Sequence, residues 1–129
     1  MTDRELLLFS VDGKRHAVDA GSVQRIASGR DPEADWILAS ILGRPRCPRR
    51  GLVVNVDGEE RALAVDGVEG IERVPAGVVS PLPPFARAAI RTAGIAGVVV
   101  RGDELLFLVD LPQLIRESSK ESSLYAQDE

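Results

Sequence analysis

Along most of this chain apolar residues come in short runs, often alternating with polar ones, and Gly and Asp punctuate them, the signature of strands joined by tight turns. The clearest stretch is Gly51 to Arg73. Leu52, Val53, Val54 and Val56 form a largely β-branched run, Asp57-Gly58 supplies two residues that accept positive φ, and Ala62 to Val65 forms the returning arm of a hairpin. A second pair, Asp66-Gly67, bends the chain before Val68 and Ile71, so the segment reads as three short strands with one apolar face.

The same phrase occurs earlier. Leu7 to Asp19 matches Val53 to Asp66 in its Val-Asp-Gly turn and in its closing Ala-Val-Asp, with a small difference in length. Such an echo predicts two related half-domains, each too small to bury its apolar face alone and therefore packed as a pair.

Elsewhere, Gly21 to Ile26 reads as a short, bent segment with Val23 and Ile26 on one side. Asp31 is placed as an N-cap, Pro32 suits the first helical position, and Trp36, Ile37, Ile41 and Leu42 share a face until Gly43, which predicts one helix over residues 32–42. The linker Arg44 to Arg50 carries four arginines around two prolines, a composition that excludes regular structure and leaves guanidinium groups in solvent. Val74 to Gly77 and Ser80 to Pro84 read as a long proline-punctuated loop, and Phe85 to Ala93 stays open between a helical turn and an extended rim. Gly94 to Val100 and Glu104 to Val109 form a hairpin about Arg101-Gly102-Asp103, and Leu111 to Ile115 is a short C-terminal helix. Residues 117–129, rich in Ser and Glu, are expected to be disordered.

With 129 residues, 44% of them hydrophobic, the chain fits one cooperative domain. A net charge of −4 argues against nucleic acid or an anionic membrane as partner. The single cysteine, Cys47, cannot form an internal disulfide, no signal peptide opens the sequence, and no apolar run approaches membrane-spanning length, so the cytoplasm is the expected compartment and direct membrane insertion is not expected. The lone His16 has no sequence-near nucleophile or carboxylate arrangement, one His and one Cys fall short of a metal ligand set, and the aspartates sit mostly at turns. Arg101-Gly102-Asp103 is better explained as a turn than as an adhesion motif, and Pro81 to Pro84 better as a loop than as a polyproline ligand. What remains is surface: Val23, Ile26, Val65, Val68 and Ile71 follow the two matched hairpins, although periodicity alone places them in the core.

The succession Leu6 to Phe9, Asp12 to Asp19, Val23 to Ile26, Leu63 to Val68, Gly94 to Gly97 and Leu105 to Leu111 resembles the CheW-like coupling proteins of bacterial chemotaxis. The likeness lies in the order and spacing of weak motifs from Glu5 to Ile115. It implies a mainly β fold of two intertwined SH3-like β-barrel subdomains over residues 4–116, halved at residues 50 and 51, with a receptor-binding groove between them, no cofactor and no enzymatic activity. Carried over, Val23 is a receptor-contact valine, Ile26 its groove neighbour, and Val65 and Val68, with Ile71 beside them, the opposing wall. The implied partner is the cytoplasmic tip of a methyl-accepting chemoreceptor, held in chemosensory clusters beside other CheW-like proteins and the histidine kinase CheA.

One departure alters that implication. Where the family inserts a Pro-containing turn, a hairpin and an Ile-Val-Pro strand, this chain has only Ala27 to Asp35. The first subdomain is thus expected to lack a strand pair, and with it the surface used against CheA. The helix over residues 32–42, with Trp36, Ile37 and Ile41, or a homodimer, would cover the exposed edge. Arg25 also stands where the family usually carries an acidic residue. The expectation is an accessory adaptor of shortened CheW type, as in Frz-type motility systems. The alternatives are an ordinary coupler of receptor to kinase and a small-molecule-binding barrel.

Overall fold

Two Asp-Gly pairs set the frame. Asp12 and Asp57 take φ of 53° and 54°, and Gly13 and Gly58 follow at 76° and 88°, the backbone of a primed two-residue hairpin turn whose twist matches that of the strands. The computed structural model describes residues 3–28, 36–37, 45–46, 49–81 and 94–116. In chain order the strands are β1 (Asp3–Val11), β2 (Lys14–Asp19), β3 (Arg25–Ser28), β4 (Trp36–Ile37), β5 (Arg50–Val56), β6 (Glu59–Val65), β7 (Gly67–Pro75), β8 (Val79–Pro81), β9 (Ile95–Arg101) and β10 (Glu104–Val109). Residues 111–116 are helical and are termed α1.

The strands form two sheets, one of order β7-β1-β2-β10-β9-β8 and one of order β3-β5-β6-β4. Each hairpin hands its next strand to the other sheet: β3 leaves β2 to pair with β5, and β7 leaves β6 to pair with β1, both antiparallel. Each second arm also takes one parallel neighbour, β10 beside β2 and β4 beside β6. The sequence echo is therefore a structural one, and it interleaves the sheets. Residue 50 is not a boundary between them, because β1 and β2 lie in the same sheet as β7 to β10.

The echo also bears on the strand pair that the first subdomain is expected to lack. Residues 76–103, which include β8 and β9, join β7 to β10, whereas residues 29–35 alone join β3 to β4. Among the described residues, the four-stranded sheet has no counterpart of the β8–β9 pair.

Two cores follow. Leu7, Phe9, Val11 and Val18 of one sheet meet Leu52, Val54, Val56, Leu63 and Val65 of the other, with Leu111, Leu114 and Ile115 of α1 closing the cluster. Each such side chain contributes about 1.5–3 kcal/mol relative to exposure. The opposite face of β1, β2, β9 and β10 packs Leu6, Leu8, Ala17, Val99, Leu106 and Leu108, with Val74, into a second core. The six-stranded sheet curls around it. In a flat sheet β7 and β9 would stand about 19 Å apart, yet Glu72 and Arg101 form an ion pair at 3.1 Å.

Several expectations are corrected. Trp36 and Ile37, placed on a helix over residues 32–42, form β4, in register with Ala62 and Leu63 of β6. Aromatic and β-branched residues suit a pleated strand, and the edge of β6 offers backbone partners that an isolated short helix lacks. Ile41 and the rest of that segment lie outside the described residues, as do Phe85 to Ala93 and residues 117–129. The three strands expected between Gly51 and Arg73 do not share a sheet, since β7 crosses over. The proline-punctuated loop holds a short 3-10 turn (Ala76–Val78) and β8, and Arg50 opens β5. Arg46 keeps its guanidinium in solvent, 75% exposed, while donating from Nε to Asp12 Oδ1 at 2.9 Å.

Candidate partner-binding surface

The two crossings repeat one local motif. After the closing Asp19 comes Val23-Gln24-Arg25-Ile26, and after the closing Asp66 comes Val68-Glu69-Gly70-Ile71, a Val-x-x-Ile at each junction between sheets. The first crossing makes a 3-10 turn at Ala20–Ser22, in which Val23 N–H donates to Ala20 O (3.2 Å), and Gln24 N–H then donates to Val53 O at 2.8 Å, guiding the chain onto the second sheet. The second crossing is pinned from both sides. Asp66 N–H donates to Ser10 O (2.9 Å), and Asp66 Oδ2 accepts from Asp12 N–H (2.7 Å).

Of the residues expected to form a groove, the structure treats the two valines alike and the two isoleucines alike. Val23 and Val68 are half-buried against the core between the sheets, whereas Ile26 and Ile71 are 44% and 62% exposed. Val65 differs from its expected place: it is fully buried at the end of β6, opposite Arg50. The echo carried that information, because Val65 corresponds to Val18, which is equally buried. Trp36 and Ile37 lie along β6 rather than at a helical gap cover.

A second apolar patch was not anticipated. Leu105, Phe107 and Val100 are 70%, 45% and 44% exposed, with Leu105 opposite Val100 and Phe107 opposite Val98 across the β9–β10 hairpin. The unbroken run from Leu105 to Val109 hid which residues face outward, since only a polar partner at every second position would reveal it.

Charges frame the crossings. A one-residue bulge in β7, with Gly70 at φ 126°, leaves Glu69 outside the register between Leu8 and Phe9. Glu69 then receives Arg15 Nε on both carboxylate oxygens, at 3.0 and 2.9 Å, while Arg15 Nη1 reaches Glu104 at 3.0 and 3.1 Å. These hydrogen bonds, that to Glu69 first, hold the Arg15 guanidinium above its ordinary range. Arg25 lies beside Glu60 at 3.5 Å, and Arg73 pairs with Glu5 at 3.0 Å. Among the described residues no group of three metal-ligating side chains converges, and no helix is long and apolar enough to cross a membrane. The one buried polar side chain there is His16.

Comparison with known proteins fits this geometry. Residues 37–119 match the family model of the CheW-like domain. The chain is 31% identical to the Frizzy aggregation protein FrzB of Myxococcus xanthus over 116 residues, 90% of this chain and 98% of that one. It shares the fold of the scaffolding protein TtCheW of Thermoanaerobacter tengcongensis, with a TM-score of 0.64 at 17% identity over 84% of this chain and 89% of the other. Interleaved sheets, matched hairpins and these likenesses agree: the chain belongs to the CheW-like domain family, the scaffold and adaptor proteins of chemotaxis signalling.

Proposed function

We propose that this chain is a non-enzymatic adaptor that binds the cytoplasmic tip of a methyl-accepting chemoreceptor through its two crossing segments, and that its contact with the histidine kinase CheA is weak or lost. The observation that carries the reading is the duplicated Val-x-x-Ile. In each copy the valine is anchored on the core while the isoleucine stays accessible. Two rigidly based apolar side chains at the junction of two sheets suit an amphipathic receptor helix laid between them. Burying each isoleucine is worth about 1.5–3 kcal/mol, partly offset by the cost of association, so the affinity is modest.

The weak kinase contact follows from what joins β3 to β4. The segment that would carry the missing strand pair is residues 29–35 alone, and the family resemblance assigns the kinase surface to that pair. A small-molecule barrel is disfavoured, because the interior of the six-stranded sheet is filled by Leu6, Leu8, Val99, Leu106 and Leu108. The adaptor would act in the cytoplasm, within chemosensory clusters, alongside other CheW-like proteins.

Co-precipitation with the receptor cytoplasmic fragment and, separately, with the kinase regulatory domain tests this. The receptor fragment is expected to be retained and the kinase domain lost on washing. Tight, saturable kinase binding would restore the ordinary coupler, and absence of receptor binding would remove the adaptor reading altogether.

A further inference from the structure

His16, the one histidine of the chain, is only 4% exposed, and neither Nδ1 nor Nε2 has a hydrogen-bond partner. It lies between two phenyl rings, that of Phe9 at 5.6 Å between centroids and 42° between planes, and that of Phe107 at 6.5 Å and 10°. The register extends this into a row across the sheet: Val68 opposite Phe9, Phe9 opposite His16, His16 beside Phe107, and Phe107 opposite Val98. A neutral imidazole already leaves one N–H without an acceptor there. An imidazolium would leave two, together with a desolvated charge.

The surroundings offer that charge no carboxylate. On the face of His16, β1 presents Leu7, Phe9 and Val11, and β10 presents Leu105, Phe107 and Val109. The apolar core on this side of the sheet is completed by Leu52, Val54 and Leu63 of the facing sheet and by Leu111 and Leu114 of α1. Lys14 is the charged group that acts on His16, and its sign opposes protonation, while Glu5 and Arg73, farther along the same face, pair with each other at 3.0 Å. The carboxylates of Glu69 and Glu104 are both engaged by Arg15, which lies on the other face of β2. Phe9, whose centroid lies 5.6 Å away, would give an imidazolium about 2 kcal/mol of cation–π attraction, less than the several kcal/mol of burying an unpaired ion. Burial first, and Lys14 second, push His16 below its ordinary value.

We infer that His16 makes the six-stranded sheet acid-sensitive: the folded sheet holds the neutral imidazole only, and protonation is coupled to loosening of β2 from β1 and β10. The sign follows from linkage. Protonation is favoured in the unfolded chain near the ordinary value of 6.5 and opposed in the folded one, so stability is full above pH 6.5 and falls as the pH drops below it. Between pH 7.5 and 5.5 this one group raises the unfolding equilibrium constant about tenfold. The row ends on Val68, so loosening reaches a residue of the proposed groove, but the inference stands apart from that reading.

The test is proton NMR of the single imidazole together with urea unfolding at pH 7.5 and 5.5, on the wild type and on His16→Phe, with His16→Gln as a second non-titrating variant should the phenyl ring not be accommodated. The imidazole resonances of the folded wild type are expected to hold their neutral positions down to pH 5.5. Its unfolding constant is expected to rise about tenfold more than that of the variant over the same interval. Folded-state titration near 6.5, or the same pH dependence in wild type and variant, would overturn the inference.

Discussion

Leu63 and Leu105 are the same residue in opposite circumstances, 1% and 70% exposed. Leu63→Ala is expected to cost about 2–5 kcal/mol through lost burial and a cavity, and Leu105→Ala to stay within about 0.5 kcal/mol. Urea unfolding of the two variants separates them. Gly94 is constrained from two directions. Its φ is 93°, and a Cβ there would stand 2.6 Å from Leu114 Cα, where strand β9 begins against α1. Gly94→Ala therefore forces α1 off its seat, and a loss of about 1–3 kcal/mol is expected in the same assay. At this scale the core was partly legible: the β-branched run of β5 announced its burial, but the exposed Ile26 and Ile71 and the buried Val65 carry the same apolar signal. Only the echo, by aligning Val65 with Val18, separates them.

Among the elements, the hairpins were the most legible, because an Asp-Gly pair between apolar arms leaves the backbone one economical geometry. Gly58→Ala puts a side chain at φ 88° and is expected to cost about 1–2 kcal/mol, with the β5–β6 amides losing hydrogen-exchange protection first. Helix α1 is short, and its start is fixed by Asp110, whose Oδ1 accepts from Gln113 N–H at 3.3 Å while its own N–H donates to Gly94 O at 2.8 Å. Asp110→Ala removes the side-chain cap but not the backbone bond, so a loss of about 1 kcal/mol is expected. The elements that sequence misplaced share a cause. Residues 36–37 carry helix-compatible spacing but settle beside β6, and the β7 bulge is set by pairing with a strand some sixty residues away. Local pattern contains neither partner.

For the molecule as a whole, the deciding feature is the exchange of strands after each hairpin. Because β3 and β7 each belong to the sheet they do not start from, neither sheet can leave without taking apart the other, and a single transition is expected. Trp36 fluorescence and far-UV circular dichroism should therefore superimpose in urea, whereas two separated transitions would indicate independent halves. The fold class was legible from the echo and from the family likeness it supports. The crossing itself was not, since a repeated phrase states that two units are alike but not which strand each one lends. The central claim is most directly tested by calorimetric titration of a receptor cytoplasmic fragment into the wild type and into the double variant Ile26→Arg/Ile71→Arg. Both residues are exposed, so the variant is expected to unfold in urea like the wild type. Saturable binding by the wild type and its loss in the folded variant is the predicted result, and equal binding by both would contradict the account.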